Sequence, residues 1–438
     1  MIGDRVSALG SEPGRSPGGT TWDHQPVHDV SDPSRRRHPY RWVLFSGVCG
    51  VYFAFGVVAM SIPPLVGEVR EDLDLSRGAM GLALGAWQLV YIVSAPVGGR
   101  LLDRLGVHRG VLLGALVVAI SGVARAAAGG LSTFLLAIAL FGIGGPLISA
   151  GAPKAVGLWF GEERERRLAI GTYSTMPAIG GMATLVLSNS VFMPLTGSWR
   201  TTVLIETGVV VVAAAAWLVV SSRAPEAPIR VAPADMANAA GRRILLADPE
   251  VRTVLVLGLG VFFVGHSLGG WMPEALREHS GFSAMAAANW AALGGLVGVL
   301  ASILVPRRTE RGRMPNTMAA MFLLIAVALV ALLLLPTSLD PLPVAVAGLR
   351  AALVPLILIG LMESESVTPA NTGVAYGLWF AVAEIGGFAG PFVLGAVADS
   401  SAGFAGAFGL VAVVCVALLV PTARLRRFSG RPVGSDLT

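Results

Sequence analysis

The chain has 438 residues, 54% of them hydrophobic and only 13% charged. A water-soluble chain carries about a quarter of its residues charged, so this composition excludes a soluble enzyme, a nucleic-acid-binding module and a disordered scaffold. The formal charge of +5 follows a membrane-orientation pattern, developed below, instead of marking an anionic partner.

In chain order, residues 1–41 are rich in Gly, Pro, Ser and charge and are expected to form a disordered cytoplasmic tail. Nothing apolar precedes the first span, so no signal peptide is expected. Twelve apolar segments follow, each long enough to cross the hydrocarbon core as a helix. They are 42–65, 78–98, 110–129, 131–153, 168–192, 200–221, 252–272, 284–305, 316–335, 343–362, 373–397 and 403–422. Cys49 and Cys415 both lie inside apolar runs, which supports neither a disulfide framework nor a cysteine metal site. With the N-terminus inside, 26 of the 32 Lys and Arg residues fall in cytoplasmic segments and 4 on the other side. Both termini are therefore expected in the cytoplasm.

The longest internal loop is polar and proline-bearing. It predicts a cytoplasmic linker (222–251) between an N-terminal six-helix bundle (42–221) and a C-terminal one (252–422), with a cytoplasmic tail at 423–438. A 6+6 layout is the pattern of transporters built from two parallel repeats. The fold class expected is an all-α membrane protein with twelve transmembrane helices in two pseudo-symmetric bundles. Spans 3, 6, 9 and 12 hold the most uniform apolar runs, as helices peripheral to a cavity would.

Between spans 2 and 3 stands Gly99-Arg-Leu-Leu-Asp103-Arg104-Leu-Gly106-Val-His108-Arg109. This resembles the G-x-x-x-D-R-x-G-x-x-R signature of the major facilitator superfamily, in the loop where that family has it. Gly99 would allow a close helix approach, Gly106 a tight turn, and Asp103 a helix-capping negative charge beside Arg104 and Arg109. The resemblance implies that these five residues latch the two halves on the cytoplasmic side, against the start of span 11 near Asn371–Gly373. Arg307–Arg313 is a degenerate echo between spans 8 and 9. Gly390-Pro391 with Gly395 and Asp399, and Trp199-Arg200, are also similar to family elements. The stretch Gly144–Phe160 with Gly171–Pro177 bears a faint likeness to the cyanate/nitroimidazole permease branch. Drug/proton antiporters of the family carry an Arg before the G-x-G of span 4. Here Phe134–Phe141 precedes Gly142-Ile-Gly144 without a charge.

Charges inside spans are costly and mark candidate sites. Arg350 in span 10 and His266 in span 7 lie at similar depths, roughly 10 Å and 9 Å from the outer edge at 1.5 Å per residue. They are the candidate substrate pair, Arg350 offering a planar fork of donors to an anion. Glu384, near the middle of span 11, is the candidate proton-coupling carboxyl. Tyr52, Gln88, Tyr91, Tyr173, Asn289, Trp290 and Trp379, on spans with polar faces, complete the candidate substrate-binding set. Arg125 is expected to snorkel, Glu206 to make a structural contact, and Lys154, the sole lysine, to anchor the topology.

The reading is a secondary transporter in a bacterial plasma membrane, moving a small polar or anionic organic solute by alternating access, with protons as candidate coupling ion. The alternative is a proton-coupled exporter of drugs or amphipathic cations. Neither a cofactor nor a metal, nor a nucleic-acid partner, is expected. The partners expected are a small-molecule substrate and the lipid bilayer, with the protein as a monomer. No nucleophile–base constellation suggests an enzyme, and a mid-membrane charge argues against a transport-dead scaffold.

Overall fold

The structure, a computed structural model, describes residues 38–225, 239–368 and 371–426. Most of the expected N-terminal tail, the middle of the linker and most of the C-terminal tail lie outside the described residues. Among the described residues the architecture is helical throughout, without strands. Eleven helical segments are long and apolar enough to cross a membrane. One of them, Arg77–Ala126, has 50 residues, about 75 Å at 1.5 Å per residue, against a hydrocarbon core of about 30 Å. It is broken at Gly106, whose φ of 77° and ψ of 163° are open to glycine and strained for other residues. It therefore supplies spans 2 and 3, and the total is twelve.

Span 1 is Tyr40–Asp72, span 4 Leu131–Trp159, span 5 Glu163–Thr196 and span 6 Trp199–Ser222. Span 7 is Pro249–Glu278, span 8 Ala284–Arg308, span 9 Met314–Leu334, span 10 Pro341–Met362, span 11 Thr372–Ala398 and span 12 Gly403–Arg426. Spans 1, 5 and 10 include turns that are not α-helical. Span 1 turns through a short 3-10 piece at Pro63–Leu65, span 5 widens into a π segment at Ser188–Phe192, and span 10 tightens to 3-10 at Gly348–Ala352. The loop expected at 222–251 contains a helix, Ala239–Ala247. It is amphipathic, with Leu245 fully buried and Ile244 and Leu246 exposed.

Apolar burial does not separate inside from outside in a bilayer, so the helices pack through small residues that let backbones approach. Span 11 lies on span 7 with Gly386 and Gly390 facing the carbonyls of Leu259 and Phe263, and span 8 lies on span 10 through Gly294, Gly298 and Gly348. The two six-helix halves touch where Gly81 and Gly85 of span 2 face the carbonyls of Pro391 and Phe388 of span 11. They touch again where Gly295 of span 8 faces Met182 of span 5.

Tyr40 and Val220 are hydrogen-bonded, which sets the first and sixth spans' ends on one face, termed here the terminal face. On the opposite face the halves are tied together. Arg70 pairs with Glu274 at 3.5 Å and Glu278 at 3.2 Å, Arg277 pairs with Glu68 at 3.2 Å, and Arg77 pairs with Glu278. Asp399, at the end of span 11, accepts hydrogen bonds from the backbone N–H groups of Arg77 (2.8 Å) and Gly78 (2.6 Å) at the start of span 2. Those donors are orphans of a helix N-terminus, and the carboxylate there also meets the positive end of the helix dipole. Among the described residues, the ion pairs that cross between the halves lie at this face.

Some burial raises the pKa of Asp399, but the Gly78 and Arg77 N–H groups, the Ser76 hydroxyl and the Arg77 charge outweigh it and hold the carboxyl below its ordinary value. A group depressed in the closed arrangement stabilises closure above its solvated pKa, about 3.9, and stops doing so as pH falls through the depressed value. Closure of the opposite face through Asp399 should thus persist at all pH values above about 4. Asp399→Ala should open this face, read as increased labelling of cysteines placed along spans 2 and 11 near it. Labelling equal to wild type at neutral pH contradicts the tie.

Candidate functional site

The candidate site is built by spans 2, 7 and 11 where they cross. Gly387 of span 11 is the point of convergence. A β-carbon placed there would stand 2.8 Å from Oε2 of Glu384, 3.2 Å from Cγ of Gln88 and 3.3 Å from Nδ1 of His266. Three residues singled out from sequence on three different spans therefore share one small space. Glu384 and Gln88 are 2% and 1% exposed, and each has a buried oxygen, Oε2 and Oε1 respectively, without a hydrogen-bond partner. Buried polar atoms are almost always satisfied in native folds, and each exception calls for an explanation. His266 is half-buried, its Nδ1 3.1 Å from the Phe262 carbonyl one turn earlier.

Rings enclose this cluster and join the two halves. On the N-terminal side, Tyr173 stands edge-on to Tyr52 (5.3 Å between centroids), Phe55 stacks on Phe141 (4.8 Å), and Trp87 stands edge-on to Phe141 (5.4 Å) and Tyr91 (6.0 Å). The crossings to the other half are Trp87 to His266 at 6.0 Å and Tyr91 to Phe380 at 5.4 Å. The collar continues through Phe262, Phe380, Tyr376 and Trp379. Tyr52 donates to the Ser149 carbonyl at 3.1 Å, and Tyr91 hydrogen-bonds the Ser149 hydroxyl. Glu384 is within electrostatic reach of Tyr91 and Tyr376.

Arg350 sits in the 3-10 stretch of span 10, half-buried, and its guanidinium donates to the Ala347 carbonyl at 3.0 Å. Among the described residues no carboxylate lies within ion-pair distance of it, Glu384 included. Its hydrogen bond stays within its own span, and His266 of span 7 makes its own contacts with Phe262 and Trp87. Asn289 and Trp290 on span 8 are half-buried, Asn289 with an unpartnered Oδ1 and Trp290 packed against the core of the second half. Trp379 is 1% exposed with its indole against Gly258 of span 7 and its N–H unpartnered.

The loop signature is placed differently from its expected contacts. Asp103, Arg104, Gly106 and Arg109 are exposed on the terminal face. Asp103 pairs with Lys154 of span 4, inside its own half, so the sole lysine is also the partner of a signature carboxylate. Gly99 makes no close approach, because nothing lies within 4 Å of a β-carbon added there. Asn371 uses its side chain on the Thr368 N–H and the Ser366 carbonyl, and the N-terminus of span 11 has no side-chain cap. Arg125 does not snorkel. It is 2% exposed and donates from Nη1 to the Val58 carbonyl (2.7 Å) and Ser61 hydroxyl (3.0 Å) of span 1.

Sequence reasoning passed over Trp87, Phe262, Tyr376, Phe380 and Gly387. A signal was present: Tyr376, Phe380 and Glu384 recur every four residues, and Phe262 precedes His266 by four, which places each set on one helix face.

The sequence model of the family described as Major Facilitator Superfamily matches residues 44–364. A hexuronate transporter of Bacillus subtilis (strain 168) is 25% identical over 418 residues, covering 90% of this chain and 96% of that protein. A hexuronate transporter of Escherichia coli (strain K12) is 27% identical over 183 residues, 41% of each chain. Among solved structures, a bacterial homolog to the human lysosomal transporter Spinster, in an inward-facing and unoccupied conformation, superposes with a TM-score of 0.68. It has 17% identity and covers 90% of this chain and 97% of that one.

Proposed function

The chain belongs to the Major Facilitator Superfamily, and from that premise we propose that it is a secondary transporter for a small hydroxylated organic anion, of the sugar-acid type. The observation that carries the proposal is Arg350, a permanent cation within span 10, with no acid paired to it among the described residues. An anion completes it through charge-assisted hydrogen bonds to a planar fork. The unpartnered acceptors Gln88 Oε1 and Glu384 Oε2 call for donors, which the hydroxyls of such a substrate supply. Tyr52, Tyr91, Tyr173 and Trp290 offer faces to its C–H groups, and His266 and Asn289 further polar contacts. Trp379 supports the site from behind. The hexuronate transporters it resembles, one along most of the chain and one over 41% of it, support this class.

The arginine-rich terminal face is taken as cytoplasmic, by the positive-inside rule. The arrangement tied at the opposite face is then open inward, with residues 42–221 and 252–422 rocking about the span 2–span 11 contact. The signature residues Gly99, Asp103, Arg104, Gly106 and Arg109 act at the cytoplasmic face when it closes. Asp103 then leaves Lys154 for the uncapped N-terminus of span 11, the counterpart of Asp399 at span 2. Asp103→Asn should shift the population toward the arrangement described here, with normal insertion. An unchanged accessibility pattern removes the latch.

One observation favours the other reading, an exporter of amphipathic cations: Glu384 is unpaired and ringed by aromatics. Charge decides between the two. Glu384 becomes neutral on taking a proton, whereas Arg350 keeps its charge at physiological pH, so a site with Glu384 protonated is net positive and repels a cation. Arg350→Gln should therefore abolish uptake of the anion by 100-fold or more (about 3 kcal/mol, a charged hydrogen-bonded contact), and Arg350→Lys should weaken apparent affinity about tenfold. Normal transport by Arg350→Gln sinks the anion reading.

Glu384 is proposed as the coupling carboxyl. Glu384→Gln should lose accumulation against a gradient in proteoliposomes while keeping counterflow exchange of substrate. A variant that still concentrates substrate when a proton gradient is imposed overturns the coupling role.

A further inference from the structure

A second buried acid lies outside the site, in the N-terminal half. Glu206 of span 6 is 1% exposed, although its span carries one of the most uniform apolar runs. It faces the π segment of span 5. The Oγ of Ser188, first residue of that segment, lies 2.5 Å from Glu206 Oε1 and 2.6 Å from the Thr184 carbonyl oxygen. The backbone N–H of Ser188 also donates to that carbonyl.

The protons at this point can be counted. A serine hydroxyl holds one proton, and a carbonyl oxygen only accepts. Three oxygens in a row at such separations need two protons between them. Ser188 supplies one. Without a second, either the carboxylate or the carbonyl would face a bare lone pair at under 2.7 Å. The missing proton has one available home, the carboxyl of Glu206, which then donates to Ser188, which donates to Thr184.

The surroundings agree. Glu206 Oε2 is buried without a partner. A full carboxylate charge in that position would have one hydroxyl partner and no ion pair, a costly arrangement for a buried acid. The charged group nearest it in the N-terminal half is Arg125 of span 3, and the two form no ion pair. Arg125 is engaged elsewhere, on the Val58 carbonyl and Ser61 hydroxyl of span 1, with its guanidinium 5.2 Å over the Phe141 ring. From spans 1 and 5, Glu206 and Arg125 meet hydroxyls and carbonyls, without another titratable group among the described residues.

We propose that Glu206 is a proton-binding site of the N-terminal half, occupied in the arrangement tied at the opposite face, and distinct from the Glu384 site. Its proton exchanges with bulk water. When it leaves, Ser188 turns its hydroxyl from Thr184 to the carboxylate, and the new charge draws Arg125 away from span 1. The contact at risk lies just before the Pro63–Leu65 turn of span 1, which leads into Glu68 and Arg70 of the opposite-face ion pairs. Proton occupancy is thereby linked to closure. Neither the substrate assignment nor the coupling role of Glu384 is needed for this site.

The test is infrared difference spectroscopy of the full chain in liposomes at neutral pH. Wild type minus Glu206→Gln should show a protonated-carboxyl C=O band that is still present in Glu384→Gln. The band should disappear reversibly as pH is raised. In Ser188→Ala it should move to higher frequency, because the carboxyl loses the hydroxyl to which it donates. If Glu206→Gln does not reach the membrane, the Ser188→Ala shift and the pH titration in otherwise wild-type protein decide alone. A difference spectrum containing only carboxylate bands, a C=O band unmoved by Ser188→Ala, or one that persists at every pH at which the protein stays folded overturns the proposal.

Discussion

The cost of a polar group in hydrocarbon governs this molecule. A side-chain charge at the centre of a bilayer costs about 2.5–3.5 kcal/mol on insertion scales, so a chain that keeps Arg125, Glu206, Arg350 and Glu384 inside its spans must enclose each of them. The twelve-span bundle does so in two ways. Arg125 and Glu206 are sealed inside one half by spans 1, 3, 5 and 6, with carbonyls and hydroxyls for partners. Gln88, His266 and Glu384 meet between the halves, and one oxygen each of Gln88 and Glu384 is left without a protein partner. The first arrangement lies wholly within one half, although Glu206 Oε2 and Arg125 Nε keep no partner. The second is an incomplete solvation shell that a solute or a proton can finish.

Close backbone approach at glycine is what allows a site between halves to exist. Gly81 and Gly85 bring span 2 against the carbonyls of span 11, and Gly387 leaves the space where Glu384, Gln88 and His266 meet. A side chain at Gly387 would push on the Glu384 carboxyl, so the lack of one is part of the site. The same pair of spans carries the two capping acids, Asp103 at the end of span 2 and Asp399 at the end of span 11. Only Asp399 caps the partner helix here. The contact between spans 2 and 11 is thus a pivot with a potential clasp at each end. One clasp is fastened here, and the second acid rests on a lysine of its own half.

Much of this was legible in the sequence because bilayer physics writes in long words. Twenty-residue apolar runs, arginine-rich loops and a complete loop signature specify spans and family without tertiary information. The site was legible in part. Gln88, His266, Glu384 and Arg350 stand out because polar residues are rare in spans, yet which of them converge depends on helix rotation, which span edges do not fix. The errors have the same origin. Arg125 lies near a span end, which suggested snorkelling, but its rotation points it at the Val58 carbonyl across the bundle. Gly99 belongs to the signature and was expected at a close contact. In this arrangement nothing lies within 4 Å of a β-carbon placed there. The helix at Ala239–Ala247 was hidden by a polar, proline-bearing context that dilutes a nine-residue amphipathic pattern.

The two buried acids also separate the jobs that a proton can do in such a transporter. Glu384 shares its space with groups from both halves, so its charge acts on whatever occupies that space and on the meeting of the halves. Glu206 touches only its own half, through Ser188 and, at longer range, Arg125. On the proposed readings, a proton at Glu384 changes the charge seen by a substrate held at Arg350, whereas one at Glu206 alters how spans 1, 3 and 5 hold together. The first effect selects what binds. The second acts on the end of span 1, where the opposite-face ion pairs begin. A chain with both acids can register the same proton gradient at the substrate and at the clasp without a direct connection between them, since each reads the gradient through its own buried carboxyl.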